Sequence, residues 1–161
     1  MVEQQMKILV FSDTHGLTAS AVRAANAHAD ADEIIHLGDN VRDAREIERL
    51  TGKPVTFVRG NCDYSPEPEK LLITKGGCRI FLTHGHRYGV GFSLLRLALA
   101  AEEAGAQAAL FGHTHKSLLE YENCILLLNP GSTSCPRGCV PSYALIEAEG
   151  GRIKAEIISA D

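Results

Sequence analysis

The sequence of 161 residues lacks long apolar stretches. No run of about 18 apolar residues occurs, which argues against a transmembrane helix. The first residues, MVEQQMKILVFSD, are too polar, and their apolar part is too short, for a signal peptide. We therefore expect no membrane association and a cytoplasmic location.

The chain also lacks any C-x-x-C pair. Its cysteines are odd in number, which fits a reducing compartment in which most of them are small buried hydrophobes. Cys135 and Cys139 lie four positions apart, but no neighbouring base supports a redox pair. The five cysteines are Cys62, Cys78, Cys124, Cys135 and Cys139.

An excess of positive charge is missing as well. The formal net charge is -4, whereas proteins that bind nucleic acid usually present a basic surface to the phosphate backbone. We therefore do not expect nucleic acid as a partner. A small phosphate-bearing substrate remains compatible with this charge, because bound divalent cations can reverse the local potential.

Length and an ordinary hydrophobic content of 45% predict one domain over residues 1–161. The first 60 residues alternate strand and helix patterns as βαβαβ, which implies parallel strands with right-handed crossovers. The predicted strands are residues 7–11, 33–37, 54–58, 70–74, 79–83, 106–111, 117–121, 124–128, 142–147 and 152–158, and the predicted helices are residues 17–29, 41–50 and 91–104. The predicted fold class is α/β, with two packed mixed β-sheets flanked by helices.

Metal-capable side chains follow five of the predicted strands. The segments are Ser12-Asp13-Thr14-His15, Gly38-Asp39, Gly60-Asn61, Thr83-His84-Gly85-His86 and Gly112-His113-Thr114-His115. Ligands collect outside the carboxyl ends of strands in open α/β sheets, so these loops could converge. Five of the seven histidines of the chain lie in them, a concentration that scattered surface histidines would not show.

Each segment alone has an ordinary structural interpretation. Asp13 or Thr14 could cap a helix, and Gly38-Asp39 could form a turn. Asn61 could occupy the left-handed region of a turn, and His113 with His115 could be two surface histidines.

The combination favours a metal centre. Two aspartates, one asparagine and four histidines, all after strands, supply oxygen and nitrogen ligands for two cations. The absence of thiolate disfavours a structural zinc site. We expect two divalent ions, and carboxylate, amide and imidazole together suit Mn²⁺, Fe, Ni²⁺ or Zn²⁺ without choosing among them.

The ordered series Asp13-x-His15, Gly38-Asp39, Gly60-Asn61-Cys62-Asp63, Thr83-His84-Gly85-His86 and Gly112-His113-x-His115 resembles the calcineurin-like metallophosphoesterase superfamily. The segment Asn129-Pro130-Gly131-Ser132 resembles its small bacterial and archaeal branch, typified by the YfcE-like phosphodiesterases. The resemblance spans roughly residues 7–137 and implies two β-sheets sandwiched between helices.

The resemblance also implies how the ligands divide. One cation would take Asp13, His15, Asp39 and His115. The other would take Asn61, His84 and His113 and share Asp39 as a bridge. Two cations about 3.5–4 Å apart would hold a shared hydroxide that attacks the phosphorus in line.

The chain departs from the superfamily at the position after Asn61. A histidine often stands there to protonate the leaving oxygen, whereas this chain has Cys62. A thiol with a pKa of about 8.5 matches imidazole poorly as a proton donor at neutral pH. The catalytic candidates are therefore Asn61, Cys62 and His86, with Asp63 as another donor.

Several residues outside these segments have weaker expectations. Arg59 and Arg137 could contact phosphate oxygens, although lone arginines beside loops are more often surface residues. His36 is expected in the core or behind the ligands, and His28 is expected to face solvent. The apolar stretch 94–101 predicts a core helix or a subunit interface, so a homo-oligomer is compatible with the sequence.

We expect an enzyme that hydrolyses small phosphoesters. Phosphodiesters are the expected main substrates, and some phosphomonoesters are compatible with the same site. The alternative is a non-catalytic interaction module of the same fold, as in the retromer-subunit relatives of this branch. The complete set of seven candidate ligands favours the enzyme. A nuclease would call for a basic groove or an added domain, and the sequence has neither.

Overall fold

The computed structural model describes residues 5–161. Its strands are β1 (Met6–Phe11), β2 (Glu33–His36), β3 (Val55–Phe57), β4 (Lys70–Lys75), β5 (Cys78–Thr83), β6 (Ala108–Leu110), β7 (Leu118–Glu122), β8 (Ile125–Asn129), β9 (Ser142–Glu149) and β10 (Arg152–Ser159). Its helices are α1 (Ala19–Ala27), α2 (Val41–Thr51) and α3 (Leu95–Glu103), with a 3-10 turn at His86–Tyr88. No helix in residues 5–161 combines the length and the apolar character that crossing a membrane requires.

The strands form two five-stranded mixed sheets, which confirms the predicted fold class. The first sheet has the order β10-β9-β1-β2-β3, and the second has the order β4-β5-β6-β8-β7. Strands β1, β2 and β3 are parallel, as are β5, β6 and β8. The carboxyl ends of each parallel set therefore lie along one edge of its sheet.

Alternating side chains of β1 explain the layered architecture. Ile8 and Val10 are buried in the core between the two sheets, whereas Leu9 and Phe11 pack in a second core with α1 and α2. A strand buried on both faces reads as a continuous apolar run, as this one does. Leu97 and other residues of α3 cover the second sheet, so helices enclose the paired sheets.

Two local predictions need correction. Helix α3 begins at Leu95 and not at residue 91, because a turn precedes it in which the amide N–H groups of Phe92 and Ser93 donate to the carbonyl of Gly89. His28 is not a solvent-facing residue of a helix interior. It caps the carboxyl end of α1, is partly buried, and its Nε2 lies 2.8 Å from the Tyr143 hydroxyl.

Candidate metal centre

Both sheets contribute to one cluster of polar side chains. Loops after β1, β2 and β3 of the first sheet bring Asp13, His15, Asp39 and Asn61, and loops after β5 and β6 of the second sheet bring His84, His113 and His115. The convergence predicted from the strand ends is therefore present. The cluster lies where the carboxyl edges of the two parallel sets meet.

Asp13 occupies the centre of the cluster. Its side chain is fully buried, and Oδ1 faces three imidazole Nε2 atoms, those of His115 at 3.3 Å, His84 at 3.7 Å and His15 at 3.9 Å. Its Oδ2 accepts hydrogen bonds from the Ser12 hydroxyl and the backbone N–H of His113. One oxygen is thus anchored, while the other remains directed at the histidines.

Asp39 lies beside Asp13 and is also buried. Its Oδ2 is 3.3 Å from Nε2 of His84 and 3.7 Å from Nε2 of His15. Its Oδ1 accepts the backbone N–H of Cys62 at 2.9 Å. Because the resemblance assigns His15 and His84 to different cations, Asp39 lies where a bridging ligand would be needed.

The ligand atoms form two compact groups that could each hold a cation. One group contains Asp13, His15 and His115, and the other contains Asp13, Asp39 and His84, with the atoms of each group within 4.8 Å of one another. The two groups share Asp13, whereas the resemblance assigns the shared position to Asp39. Both carboxylates therefore lie between the two groups of imidazoles.

Asn61 and His113 form the outer side of the cluster. The side-chain oxygen of Asn61 lies 3.1 Å from Nδ1 of His113, and Asn61 is exposed while His113 is partly exposed. The His113 ring also packs against His84, with 5.3 Å between ring centroids. A ligand from solvent can therefore reach this side of the cluster, and His15 is exposed as well.

Two histidines are held in the tautomer that suits a metal ligand. Nδ1 of His84 lies 2.7 Å from the carbonyl oxygen of Leu37, and Nδ1 of His115 lies 2.6 Å from that of Cys135. A carbonyl only accepts, so each Nδ1 must be the protonated nitrogen. The neutral ring then directs the lone pair of Nε2 at the carboxylates, as in ligands oriented by a carbonyl partner.

Buried polar atoms without hydrogen-bond partners support the binding of a cation at this cluster. Asp13 Oδ1 and His84 Nε2 are buried and have no hydrogen-bond partner within residues 5–161. An unpaired buried polar atom costs about 1–3 kcal/mol, and more when it is charged. In addition, Nε2 of His15 and Nε2 of His115 face each other at 3.3 Å. A divalent ion would satisfy these atoms together, so the residues fit the metal that the sequence predicts.

The electrostatic surroundings keep both carboxylates ionised. Burial by itself would raise the pKa of Asp39, but the neighbouring His84 ring, 3.3 Å away, and the hydrogen bond from the Cys62 N–H hold the pKa well below its usual range. Burial likewise opposes ionisation of Asp13, and His115 and His84 bring its pKa below the ordinary value. Two negative ligands are therefore available at neutral pH.

The backbone is strained at most of the candidate ligands. Asp13, His15, Asp39, His113 and His115 have φ values of 56°, 46°, 48°, 72° and 60°. Each side chain in this left-handed region costs of order 1–3 kcal/mol, and such residues cluster at functional sites. Within residues 5–161 the other non-glycine residues with positive φ are Asn123 and Cys124, which form a hairpin turn.

Two glycines permit the close packing of the loops. A Cβ at Gly60 would lie 2.1 Å from Oδ1 of Asp39, and a Cβ at Gly112 would lie 2.0 Å from the Ser12 hydroxyl and 2.7 Å from Oδ2 of Asp13. The glycines that precede Asn61 and His113 in the sequence motifs are thus required by space beside the carboxylates.

A buried chain of polar side chains supports the first loop, and it was not predicted from the sequence. His36 accepts the Gly38 N–H at Nδ1, so its Nε2 donates to the Thr14 hydroxyl at 2.9 Å, and that hydroxyl donates to Asp43. Asp43 also accepts the Gly16 N–H. His36 is fully buried, as predicted, and burial lowers its pKa to about 4.

Asn129 and Ser132 fix the loops from the opposite side. The Asn129 amide donates to the Gly112 carbonyl and to the Thr114 hydroxyl, and the Ser132 hydroxyl donates to the Asp13 carbonyl. The Asn-Pro-Gly-Ser segment therefore positions loops from both sheets. The sequence indicated the segment without its structural role.

Asp63 does not lie as a proton donor would. Its two oxygens accept backbone N–H groups of Asp39, Val41 and Gly60 at 2.8–2.9 Å. These three bonds use the carboxylate as an acceptor and tie the loops after β2 and β3 together. The suggestion that Asp63 donates a proton is therefore wrong in this geometry.

The other two candidates for the acid lie close to the cluster. Cys62 is exposed, and burial of its sulfur together with the charge of Asp39 raises the pKa of the thiol. His86 packs 5.6 Å from the His84 ring and 6.3 Å from the His113 ring, and its Nε2 lies 3.9 Å from Glu69. Burial and the charge of His84 lower the pKa of His86.

The two candidate phosphate-binding arginines differ in their surroundings. Arg59 forms an ion pair with Glu69 at 2.8 Å. Arg137 is exposed, and its backbone N–H donates to the His115 carbonyl, which places it next to the ligand loop. Arg137 thus remains a candidate for substrate contact, whereas Arg59 already has a carboxylate partner.

Comparison with known proteins agrees with this geometry. Residues 6–151 match the family model of the calcineurin-like phosphoesterase superfamily domain. The chain is 37% identical to the probable metallophosphoesterase YsnB of Bacillus subtilis over 147 residues, which covers 89% of this chain and 85% of that protein. It is 30% identical to the phosphodiesterase YfcE of Escherichia coli, with 88% of each chain covered.

Solved structures show the same architecture. A conserved protein of Streptococcus pneumoniae, described as a predicted phosphoesterase, is 31% identical, superposes with a TM-score of 0.82, and is matched over 98% of this chain and 91% of that one. The zinc complex of Vps29 from Entamoeba histolytica is 22% identical with a TM-score of 0.77, over 97% of this chain and 100% of that one. The likeness to Vps29 concerns the fold alone.

Proposed function

The chain belongs to the calcineurin-like phosphoesterase superfamily, and from this premise we propose that it hydrolyses phosphodiesters at a centre of two divalent metal ions. The reaction adds one water across a P–O ester bond and yields a phosphomonoester and an alcohol. The kinship with the phosphodiesterase YfcE supports a diester as substrate. Phosphomonoesters are a secondary substrate in this proposal.

The observation that supports the proposal best is the unsatisfied pair of Asp13 Oδ1 and His84 Nε2 at the centre of the cluster. A merely structural core would pair these atoms with each other or replace them with apolar groups. Their separation of 3.7 Å is too long for a hydrogen bond. A cation would satisfy both.

In this proposal the seven residues hold the metal as the resemblance assigns them, with Asp39 between the two positions. One would use Asp13, His15 and His115, and the other would use Asn61, His84 and His113. When bound, the cations supply a nucleophile from water at neutral pH and neutralise charge on the phosphate. Two carboxylates opposite two dications leave a charge of about +2, which attracts an anionic diester.

Residues in and around the cluster have further roles in this proposal. Asn61 and His113, on the accessible side, orient the phosphate, while Asp63, Asn129 and Ser132 keep the loops in place. The leaving oxygen needs a proton. His86 is the proposed donor, because its ring lies beside the rings of His84 and His113, at 5.6 Å and 6.3 Å between centroids.

The test starts from protein stripped of metal with a chelator. Mn²⁺, Ni²⁺ or Zn²⁺ is restored singly, and cleavage of bis(p-nitrophenyl) phosphate and p-nitrophenyl phosphate is followed. We expect metal-dependent turnover, a higher kcat/KM for the diester, and a loss of at least about a hundredfold in Asp39→Asn. The matched control is Asp30→Asn, because Asp30 is an exposed aspartate that pairs with Lys7 away from the site.

The same experiment tests the alternative, a non-catalytic interaction module. Metal binding without turnover of either ester under any condition would overturn the enzyme and support the module. Equal turnover by Asp39→Asn and Asp30→Asn would instead place the activity outside the cluster. We further propose Mn²⁺ as the native metal and the cytoplasm as the site of action.

A further inference from the structure

A second feature adjoins the candidate metal cluster and shares His113 with it. A cavity of about 550 Å³ opens beside His113 and Thr114, between the loop after β6 and the segment that precedes α3. Its volume is that of a site for a small organic molecule. Because His113 forms part of its wall, a group bound in the cavity would be continuous with a phosphate at the metal cluster.

Part of the cavity lining is apolar and includes an exposed ring. Phe111 forms its buried base, Leu94 and Leu118 are partly buried, and Phe92 is 99% exposed. A fully exposed phenylalanine beside a cleft gains contact area only when a ligand covers it. Such a ring favours a flat partner, since stacking of a base on an aromatic side chain contributes about 1–3 kcal/mol.

The cavity lining also includes two cationic side chains. Lys116 and Arg137 line it, both exposed, and neither forms an ion pair with any residue in the described range 5–161. Two other arginines, Arg59 and Arg87, already have a carboxylate partner, since both pair with Glu69. The positive charge of the cavity wall is therefore available to an anion.

Both cations are tied to the loop of candidate ligands. The Lys116 N–H donates to the Thr114 hydroxyl at 3.2 Å, and the Arg137 N–H donates to the His115 carbonyl at 3.1 Å. The Asn129 amide holds Thr114 in turn. The backbone positions of Lys116 and Arg137 are thus fixed by hydrogen bonds to the loop that contains His113 and His115.

We propose that this cavity selects diesters of the nucleotide class, in which one organic half has a flat ring and a second anionic group. The ring covers Phe92, and the second anion lies between Lys116 and Arg137. This inference rests on the proposed function for the reacting phosphate. It adds the substrate class, which neither the ligand set nor the family fixes.

The experiment compares two dinucleotides that differ by one anion. Thymidylyl-thymidine with and without a 5′-terminal phosphate, each with a phosphorothioate linkage that resists hydrolysis, is titrated into the Mn²⁺-loaded protein by calorimetry. We expect the phosphorylated form to bind about three- to tenfold more tightly, which is the range of two partly exposed charge-assisted contacts. In Lys116→Ala/Arg137→Ala the ratio should fall to near one.

Two further variants separate the ring from the charges. Phe92→Ala should weaken both dinucleotides by a similar factor of about three to ten and leave their ratio unchanged. The control is Arg152→Ala, because Arg152 is an exposed arginine on β10 without an ion pair in the described range, and it should retain the wild-type ratio.

Equal affinities of wild-type protein for the two dinucleotides, or no binding of either, would overturn the inference. So would a ratio that falls as far in Arg152→Ala as in the double variant. Because the readout is binding, it is independent of turnover. Failure to cleave bis(p-nitrophenyl) phosphate would refute the proposed function separately.

Discussion

Replacing Gly60 with alanine should disrupt the metal centre, although Gly60 provides no ligand. The added Cβ would lie 2.1 Å from Oδ1 of Asp39, more than 1 Å short of ordinary contact at 3.4 Å. The φ of Gly60 lies outside the left-handed region, so an alanine backbone is unstrained there. The perturbation is therefore steric, and it includes a second clash, because the Cβ would also lie 2.8 Å from the backbone nitrogen of Asp39.

The loss of stability follows from the movement that the added Cβ forces on the Asp39 side chain. Asp39 can turn away only by breaking the hydrogen bond from the Cys62 N–H at 2.9 Å, and a lost bond to a charged group costs about 1.5–3 kcal/mol. Overpacking of the surroundings adds about 1–3 kcal/mol. We therefore expect a destabilisation of about 2.5–6 kcal/mol, or a fall in Tm of roughly 5–24 °C for a protein of this size.

The assay is thermal unfolding by circular dichroism in chelator, followed by the same scan with Mn²⁺. Gly91→Ala is the matched control, because a Cβ at Gly91 would meet nothing within 4 Å and its φ is also outside the left-handed region. Gly60→Ala should melt below this control and lose the Mn²⁺-dependent rise in Tm. If the two variants melt together and both keep the rise, the packing argument is refuted.

Three other changes test the centre and its surroundings. Mn²⁺ at about 100 times its dissociation constant should stabilise the stripped wild-type protein by roughly 2.7 kcal/mol, or about 5–11 °C in Tm. Asp13→Asn should abolish most of this rise in a calorimetric scan, and an undiminished rise would place the ion elsewhere. Cys62→His should raise turnover of diesters with poor leaving groups more than that of p-nitrophenyl esters, and equal ratios in a steady-state assay would show that the proton donor is not limiting. Burial lowers the pKa of His36 from 6.5 to about 4, so between these pH values the unfolded chain binds a proton that the folded protein does not. The free energy of unfolding should therefore keep its full value above pH 6.5 and fall by roughly 3 kcal/mol as the pH falls from 6.5 to 4. Urea unfolding should show that the stability of His36→Gln falls less over this pH range than that of the wild-type protein. Parallel plots of stability against pH for the two proteins would contradict an origin in His36.

The parallel architecture was predictable because its strands are buried on both faces. Runs such as Ile8 to Phe11 are apolar without alternation. The loop that follows this run contains Asp13 and His15, which the structure places in the cluster. Strand ends at a common edge are a geometric consequence of parallel pairing. The loops that contain the candidate ligands could therefore be found without coordinates.

Features that depend on distant contacts were not predictable. His28 meets Tyr143, which is 115 positions away, so its helical pattern alone indicated a solvent-facing residue. The acceptor role of Asp63 depends on loops from two strands. Periodicity also could not locate the start of α3, because the turn at Gly89 follows an apolar stretch that continues into the helix.

The division of ligands between the two sheets has a mechanical consequence. The first sheet supplies all the oxygen ligands, through Asp13, Asp39 and Asn61, and the second supplies three of the four imidazoles. Any sliding of one sheet past the other therefore changes carboxylate–imidazole distances directly. Cavities made between the sheets, for instance at Val10 or Leu110, should alter metal affinity from a distance. The inter-sheet core thus sets the distances among the candidate ligands as well as the stability of the fold.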